Sequence, residues 1–109
     1  MKALREHEFD IACRDSHMLG LIETVLREDH LWIENIAIAP AAQGRGLGTL
    51  LMQRAEARAL AAGRAETRLV TNGKMTSNIA LYRRRGYAVE REEPFLGGMA
   101  IHMRKALRS

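Results

Sequence analysis

The stretch IAIAPAAQGRGLGTLL, residues 36–51, changes from a strand pattern to a helix pattern around three closely spaced glycines. Leu31 to Ala39 is apolar and rich in β-branched residues, which is typical of a central strand covered on both faces, and Pro40 removes a backbone donor that would continue it. Apolar residues then recur at helical spacing, and Thr49 to Ala62 is rich in Ala, Leu, Glu and Arg. The segment predicts a buried strand, a glycine-rich turn and a strong helix in succession.

The flanking sequence adds five strands and a second helix. Each strand is a short run of apolar or alternating residues bounded by turn residues, and Thr76 or Ser77 can cap the helix. The expected strands are 7–14, 18–26, 67–71, one beginning at 87, and 99–105 beyond breaks at Pro94 and Gly97; the expected helix is 78–85. The order β-β-β-α-β-α-β-β predicts an α/β (α+β) fold with helices packed on a mixed, mostly antiparallel sheet. We expect one domain over 1–109.

The composition indicates which classes of partner this domain could bind. Of its 109 residues, 47% are hydrophobic and 28% charged, as in an ordinary globular protein. Seventeen Lys and Arg outnumber 13 Asp and Glu, which suits an anionic ligand. The few aromatic residues are not interleaved with the basic ones as a base-stacking platform requires, so nucleic acid is a disfavoured partner. No apolar run reaches the roughly 20 residues of a membrane helix, and the N-terminus lacks the apolar stretch of a secretion signal. We expect no membrane association and a cytoplasmic location.

Histidine and cysteine content argues against a metal centre. His7, His17, His30 and His102 show no metal-ligand spacing. Cys13 is the lone cysteine, which excludes an internal disulfide, and we interpret it as a small buried apolar side chain rather than a nucleophile. We expect no metal cofactor.

The turn glycines Gly44, Gly46 and Gly48 favour a ligand-binding role. Glycine lets a backbone turn tightly and approach a ligand closely. The first amides of the following helix have no intrahelical partner and carry the positive end of the helix dipole, so the turn is suited to a pyrophosphate, and Arg45 adds positive charge. Thr49 stands where a dinucleotide fingerprint needs a third glycine, and no Walker Gly-Lys-Ser/Thr follows. Alone, the turn is equally compatible with a strand-to-helix corner that binds nothing.

Two motifs together resemble those of the GNAT superfamily of N-acetyltransferases. Gln43-x-x-Gly46-x-Gly48, between the apolar strand and Leu50-Leu51, is similar to the coenzyme A-binding motif of that superfamily. The segment NIALYRRRGY, residues 78–87, is similar to its second signature. The resemblance covers roughly residues 7–106. It departs from the family pattern at the N-terminus, where the usual first strand and one or two helices are missing, so the chain resembles a short form.

The resemblance implies an acetyl-CoA site built mainly from backbone groups. Amides of the turn hold the pyrophosphate, and the pantetheine arm pairs with the preceding strand where the sheet opens toward strand 67–71. An amide-bearing arm can satisfy the N–H and C=O groups of such an open strand edge. The implied cofactor-binding residues are Ile36, Ala37, Ile38, Gln43, Gly44, Arg45, Gly46, Leu47, Gly48, Thr49, Asn78 and Tyr82.

The implied catalytic residues are Tyr82 and Glu34. Tyr82 stands at the general-acid position of the family, and a phenol can protonate the departing thiolate; its ring could also serve only to pack against the sheet. A backbone N–H near Ile38 would stabilise the oxyanion. Glu34 could act as the base, directly or through a water, with His30 and His102 as alternatives, or could simply be an exposed strand residue. Because strand neighbours alternate faces, Glu34 and the following Asn35 reach the site together only through a bulge.

These inferences predict an acetyl-CoA-dependent N-acetyltransferase. It would act on a primary amine, of a small molecule or of a protein, by direct attack in a ternary complex. Two other functions stay open: a CoA-binding module with weak turnover because acceptor-site elements are missing, and a small basic protein associated with nucleic acid. The sheet edge left exposed by the missing segment favours a homodimer.

Overall fold

The computed structural model describes residues 6–107 of the chain. Its elements follow the order expected from the sequence, with boundaries shifted by one or two residues, and a short 3₁₀ turn at Pro40–Ala42 adds to it. The elements are β1 (Glu6–Arg14), β2 (His17–Leu26), β3 (Leu31–Ile38), α1 (Leu47–Ala61), β4 (Glu66–Asn72), α2 (Thr76–Arg84), β5 (Ala88–Phe95) and β6 (Gly98–Ala106). The predicted α/β architecture is confirmed.

All six strands form one sheet in the order β1-β2-β3-β4-β6-β5. Neighbouring strands are antiparallel except β3 and β4, which run parallel because α1 crosses between them. The mixed, mostly antiparallel sheet is therefore as predicted, with β1 and β5 at its two edges.

The hydrophobic core lies on one face of this sheet, where both helices pack. Inward-facing side chains of β2, β3, β4 and β6 meet α1 and α2 in a single cluster, whose most deeply buried members include Ile22, Leu31, Leu51, Met52 and Met103. The expectation that β3 is covered on both faces is wrong. On β3, Leu31 and Ile33 are buried, but Asn35 and Ala37 are exposed, because no helix among residues 6–107 covers the opposite face.

β3 and β4 diverge soon after they meet. Only Leu31 with Thr67 and Trp32 with Arg68 pair between them. Beyond these pairs the facing edges of the two strands have no ladder partner in the sheet. The sheet therefore opens into a V, with its apex at these pairs and its mouth at the carboxyl ends of both strands.

Two glycines let the start of α1 approach its neighbours closely. A Cβ atom at Gly20 of β2 would lie 3.0 Å from the Ala37 carbonyl oxygen and 3.1 Å from a methyl of Leu47. A Cβ at Gly48 would lie 3.0 Å from a methyl of Leu81 on α2. The glycine turn is thereby held at the mouth of the V, between the end of β3 and α2.

The start of α2 and the course of β5 correct two expectations. Thr76 and Ser77 do not cap α2: the N-cap residue is Met75, and no side chain accepts a hydrogen bond there. The Asn72 side chain instead accepts the Lys74 N–H at 2.8 Å, which shapes the turn before the helix. Pro94 lies within β5 rather than interrupting it, which is permitted because β5 is an edge strand.

A mostly buried polar cluster ties both helices to the sheet near the apex of the V. The carboxylate of Glu56 on α1 accepts hydrogen bonds from Arg85 at 2.6 Å and from Lys105 at 3.0 Å. Tyr87 donates to Glu56 at 3.2 Å, and its hydroxyl lies 2.6 Å from that of Thr67. Burial raises the pKa of Tyr87, so its hydroxyl remains a donor. We call these five residues the Glu56 cluster.

Candidate functional site

Two clefts meet at the mouth of the V. The wide cleft, of about 440 Å³, is bounded by the end of β3, the glycine turn, the start of α1 and one face of α2. The narrow cleft, of about 260 Å³, lies between β3 and β4. Both are lined by Ile36, Met75 and Asn78. A ligand in the wide cleft can therefore extend into the narrow one.

The wide cleft brings together most of the residues predicted to bind the cofactor. Its lining includes Ile36, Ala37, Ile38, Gln43, Gly44, Gly46, Leu47, Gly48, Thr49 and Asn78. Two predicted residues lie elsewhere. Arg45 is exposed on the turn, outside both linings, and Tyr82 lines the narrow cleft.

The glycine turn presents unpaired backbone amides to the wide cleft. Gly44 and Gly46 have φ angles of 79° and 80°, in the left-handed region that glycine adopts without strain. Gly46 is the N-cap of α1, no side chain caps that helix, and its first turn holds no acidic residue. The Leu50 N–H bonds the Gly46 carbonyl at 3.1 Å, so the amides of residues 47–49 have no partner within the helix. The turn thus offers several donors and a positive dipole end to an anion.

The gap-facing edge of β3 offers both donors and acceptors. Ala39 donates its N–H to the Leu19 carbonyl at 2.8 Å, so residues 37 and 39 direct their backbone groups toward β2. Ile36 and Ile38 consequently direct theirs into the gap of the V. The Gln43 side chain donates to the Ile38 carbonyl at 3.3 Å, which ties the turn to the strand. A ligand that carries amide groups can pair with this edge as an added strand does.

Tyr82 combines a buried ring with a hydroxyl that reaches the narrow cleft. The residue is 4% exposed, and its ring lies 6.1 Å from that of Tyr87 at an angle of 56°. Its oxygen is not among the fully buried unpartnered atoms of residues 6–107, and the residue lines the narrow cleft, so the hydroxyl faces that cleft. Burial raises the pKa of Tyr82 above the ordinary 10.0, and the phenol therefore stays protonated at neutral pH.

A bulge in β3 places Glu34 in the lining of the narrow cleft, which Tyr82 also lines. Glu23 pairs with Asn35 and Thr24 with Ile33, so Glu34 is the extra residue. Both Glu34 and Asn35 consequently line the narrow cleft. Trp32 donates its indole N–H to the Glu34 carboxylate at 2.8 Å, which fixes the orientation of that group.

Neither histidine considered as a base lines a cleft. His30 lies 2.6 Å from the Asp29 carboxylate, a hydrogen bond that lowers the pKa of Asp29. His102 lies 3.5 Å from the Glu93 carboxylate on the outer strands. The structure therefore leaves Glu34 as the candidate base at the site.

Sequence reasoning missed the face that α2 turns to the wide cleft. Ser77, Leu81 and Arg84 line it, together with Ala42 and Met75. The spacing of the three helical residues, four and three apart, places them on one face and was the available signal. Arg84 is the cation in the lining, whereas Arg45 was the one predicted.

The remaining predictions concern features outside the clefts. Within residues 6–107 no group of three or more His, Cys, Asp or Glu side chains could hold a metal ion. No helix of that part of the chain is long and apolar enough to cross a membrane. Cys13 is exposed, contrary to expectation, because its strand lies at the sheet edge and neither helix of residues 6–107 covers its outer face.

A comparison with protein-family models identifies the class. Residues 2–87 match the model described as the acetyltransferase (GNAT) family. The chain therefore belongs to the GNAT family of acetyltransferases, as its two motifs suggested. A comparison with curated proteins finds no match.

Solved structures share the fold. Nourseothricin acetyltransferase aligns with a TM-score of 0.80 at 25% identity, over 84% of this chain and 59% of its own. Naa20 of Chaetomium thermophilum, in complex with a bisubstrate analogue, aligns with a TM-score of 0.80 at 26% identity, over 91% and 65%. The PaiA N-acetyltransferase of Thermoplasma acidophilum, in complex with coenzyme A, aligns with a TM-score of 0.81 at 23% identity. This alignment covers 93% of this chain and 61% of that protein. The chain spans less than two thirds of each of these proteins.

Proposed function

We propose that this chain transfers the acetyl group of acetyl-CoA to a primary amine by direct attack in a ternary complex. The observation that carries the proposal is the junction of the two clefts. The wide cleft offers unpaired amides and an open strand edge, and it runs into a narrow cleft that holds a phenol and a carboxylate. A cofactor and an acceptor that enter separately would meet at Asn78.

The wide cleft fits coenzyme A group by group. The pyrophosphate lies at the amides of Gly44 to Thr49, where the helix dipole favours negative charge. Arg84, in the lining, adds a guanidinium that suits a phosphate. The pantetheine amides pair with the outward N–H and C=O groups of Ile38 and with the outward C=O of Ile36. This arrangement carries the thioester past Asn78 into the narrow cleft.

The chemistry then needs a base, an oxyanion donor and an acid. The neutral amine nitrogen attacks the thioester carbonyl carbon, and Glu34 accepts the proton that the new amide nitrogen loses. The Ile36 N–H, which faces the gap where the two clefts meet, donates to the carbonyl oxygen as it gains charge. The carbon–sulfur bond breaks, and the Tyr82 hydroxyl gives its proton to the thiolate. Burial raises the pKa of the Tyr82 phenol, so the residue still carries its proton when the thiolate forms.

A CoA-binding module with weak turnover is the second candidate. It is favoured by the acceptor side of the narrow cleft, which opens on the sheet face that no helix of residues 6–107 covers. An acceptor there would be held chiefly by Glu34 and its neighbours. Weak orientation of the amine lowers turnover without affecting cofactor binding.

Thiol release from acetyl-CoA, measured with a panel of amines, distinguishes the two candidates. Since the proposed acceptor is a primary amine of a small molecule or of a protein, the panel contains both small amines and peptides with free N-termini. We expect amine-dependent thiol release by the intact chain and a loss of at least tenfold in Tyr82→Phe. Cofactor binding with no amine-dependent release would support the second candidate. Turnover that is unchanged in Tyr82→Phe would contradict the assigned acid.

The cellular setting is also a proposal. We place the reaction in the cytoplasm, as the composition suggested, and propose that the protein works as a homodimer.

A further inference from the structure

Trp32 is the single tryptophan of the chain, and it lies at the apex of the V. It pairs with Val25 of β2 and with Arg68 of β4, so it is the last residue of β3 with a strand neighbour on both sides. Its side chain lies on the opposite face of β3 from the buried Leu31 and Ile33. The strand ladder on both sides therefore holds the backbone from which the indole extends.

Glu34 lies two residues further along β3, where the strand has begun to diverge from β4. It is the extra residue of the bulge, so it has no partner in the register with β2. Its side chain is exposed, and an unrestrained glutamate side chain samples many rotamers. A base must hold its carboxylate within hydrogen-bond reach of the amine that it deprotonates. The local backbone leaves the direction of this carboxylate open, and a side-chain partner is needed to fix it.

The indole of Trp32 is a neutral partner for this carboxylate. Its N–H donates to Oε1 of Glu34 at 2.8 Å, so Oε2 can accept from an amine. Other carboxylates of the sheet bond cations, as Glu66 does with Arg68 at 2.6 Å, and a cation beside a carboxylate reduces its affinity for a proton. Among the ion pairs of residues 6–107, none involves Glu34. Because an indole is an uncharged donor, Trp32 orients this carboxylate without an ion pair.

Two side chains of the turn between β2 and β3 hold the indole ring. The guanidinium carbon of Arg27 lies over the Trp32 ring, 5.9 Å from its centroid, where the π electrons attract a cation. The His30 ring meets the same indole edge-on, with centroids 6.3 Å apart and an angle of 73°. His30 is itself held by the Asp29 carboxylate at 2.6 Å. The ring is therefore restrained at its face and at its edge.

The turn between β2 and β3 is in turn anchored to the end of α1. Within the turn, the Arg27 N–H donates to the His30 carbonyl at 2.9 Å. Arg64, which follows α1, donates its guanidinium to the Arg27 carbonyl at 2.6 Å and to the Ala62 carbonyl at 2.5 Å. A continuous series of contacts thus runs from the end of α1 through the turn and the indole to Glu34.

We propose that Trp32 is a positioning residue, which holds the Glu34 carboxylate in the direction from which it accepts the proton of the amine. This inference rests on the proposed acetyl transfer and assigns no contact between Trp32 and a substrate. Trp32 belongs to the lining of neither cleft. Loss of its N–H therefore affects proton transfer and leaves cofactor binding unchanged.

The single tryptophan makes this hydrogen bond directly measurable. A ¹⁵N–¹H correlation spectrum of the native chain contains a single indole N–H signal, and a bond to a carboxylate moves its proton downfield. We expect Glu34→Ala to move the signal upfield and to speed its exchange with solvent. Glu28→Ala, which removes an exposed carboxylate of the turn between β2 and β3, is the matched control and leaves the signal in place. An indole signal that is the same in the native chain and in Glu34→Ala overturns the proposal.

A double-mutant cycle tests whether Trp32 acts through Glu34. Trp32→Phe keeps an aromatic ring and removes the N–H, and we expect kcat to fall roughly five- to tenfold, the order that one lost hydrogen bond gives, with the Kd for acetyl-CoA unchanged. In the Glu34→Ala background, Trp32→Phe is expected to cause no further loss of the remaining kcat, because the group that it positions is gone. A ring that served only for packing would lower kcat by the same factor in both backgrounds, and that result overturns the proposal.

The two measurements separate failure of this inference from failure of the proposed function. Absence of amine-dependent thiol release by the native chain would contradict the acetyl transfer, and the catalytic role of the contact would fall with it. Turnover that is present but unchanged in Trp32→Phe overturns the positioning role alone and leaves the acetyl transfer standing. The indole measurement retains the native Trp32, so it decides the contact even if Trp32→Phe does not fold.

Discussion

At the residue scale, the buried ring of Tyr82 determines how the proposed reaction responds to pH. Burial raises its pKa above 10.0, so the acid form is present throughout the neutral and mildly alkaline range. We expect kcat, measured with saturating amine and acetyl-CoA, to show no loss from Tyr82 ionisation below about pH 10. A loss of kcat centred near pH 8 that disappears in Tyr82→Phe would contradict a raised pKa for Tyr82.

Gly46→Ala tests the left-handed turn with a matched control. A Cβ there meets nothing within 4 Å, so the cost is conformational, about 1–2 kcal/mol of unfolding free energy. Gly97 has a similar φ, 77° against 80°, and equal space, but lies in the β5–β6 turn. We expect equal destabilisation of both variants by urea denaturation, and weaker acetyl-CoA binding only for Gly46→Ala. Equal affinities would show that the turn does not hold the cofactor.

Single residues were predictable where backbone chemistry decides their role. The turn glycines lie at the cleft because they lead directly into the start of α1, whose first amides have no partner within the helix. The sequence could not show that Arg84 rather than Arg45 lines the wide cleft, since this depends on the direction that each side chain takes from its element. The placement of both Glu34 and Asn35 at the site required a bulge in β3. Strand alternation made that requirement predictable, but the sequence does not show where a bulge occurs.

At the element scale, the contact of β2 with the start of α1 limits the shape of the wide cleft. Gly20→Ala would place a methyl group 3.0 Å from a backbone oxygen and against two side chains, so the strand and helix must separate. We expect a loss of roughly 1–3 kcal/mol of unfolding free energy and weaker acetyl-CoA binding.

Gly73→Ala is the control for this contact. A methyl group there meets its nearest neighbour at 3.4 Å, and that neighbour is a side-chain atom of Met99. We expect a clearly smaller loss of stability in thermal and urea unfolding. Equal losses in the two variants would contradict the close approach at Gly20.

Elements were predictable because their periodicities differ sharply. The change from a nearly continuous apolar, β-branched run in residues 31–39 to helical spacing after residue 46 located β3 and α1 within two residues. Burial of β3 was misjudged, because an apolar strand sequence does not show how many faces are covered. The divergence of β3 and β4 leaves no mark on periodicity, and it was expected only from the family resemblance.

At the scale of the whole molecule, the Glu56 cluster joins α1, the end of α2, β4 and β6. Glu56→Gln leaves Arg85 and Lys105 without their carboxylate. Because both cations keep some contact with solvent, we expect a loss of roughly 2–3 kcal/mol in urea unfolding, below that of a fully buried pair. Glu93→Gln, which removes an exposed carboxylate paired with Arg91, is the control and should change stability little. Equal losses would contradict the structural role of the cluster.

The sequence gives the net charge of the whole chain but does not show where the charged side chains lie in the fold. Arg85 and Lys105 belong to basic runs that resemble exposed surface in the sequence, yet both bond Glu56, 29 and 49 residues away along the chain. Such pairs form through the fold, so no local pattern reports them. The excess of positive charge therefore says less about nucleic acid than its count suggests.

The central claim is that acetyl-CoA lies in the wide cleft on the amides of the turn and the open edge of β3. Titration of ¹⁵N-labelled protein with acetyl-CoA, followed by amide chemical shifts, tests it directly. We predict saturable shifts of the amides of Ile36, Ile38 and residues 44–49, with those of β5 unchanged. No shifts at near-millimolar acetyl-CoA, or shifts that leave the turn and β3 unaffected, would contradict it.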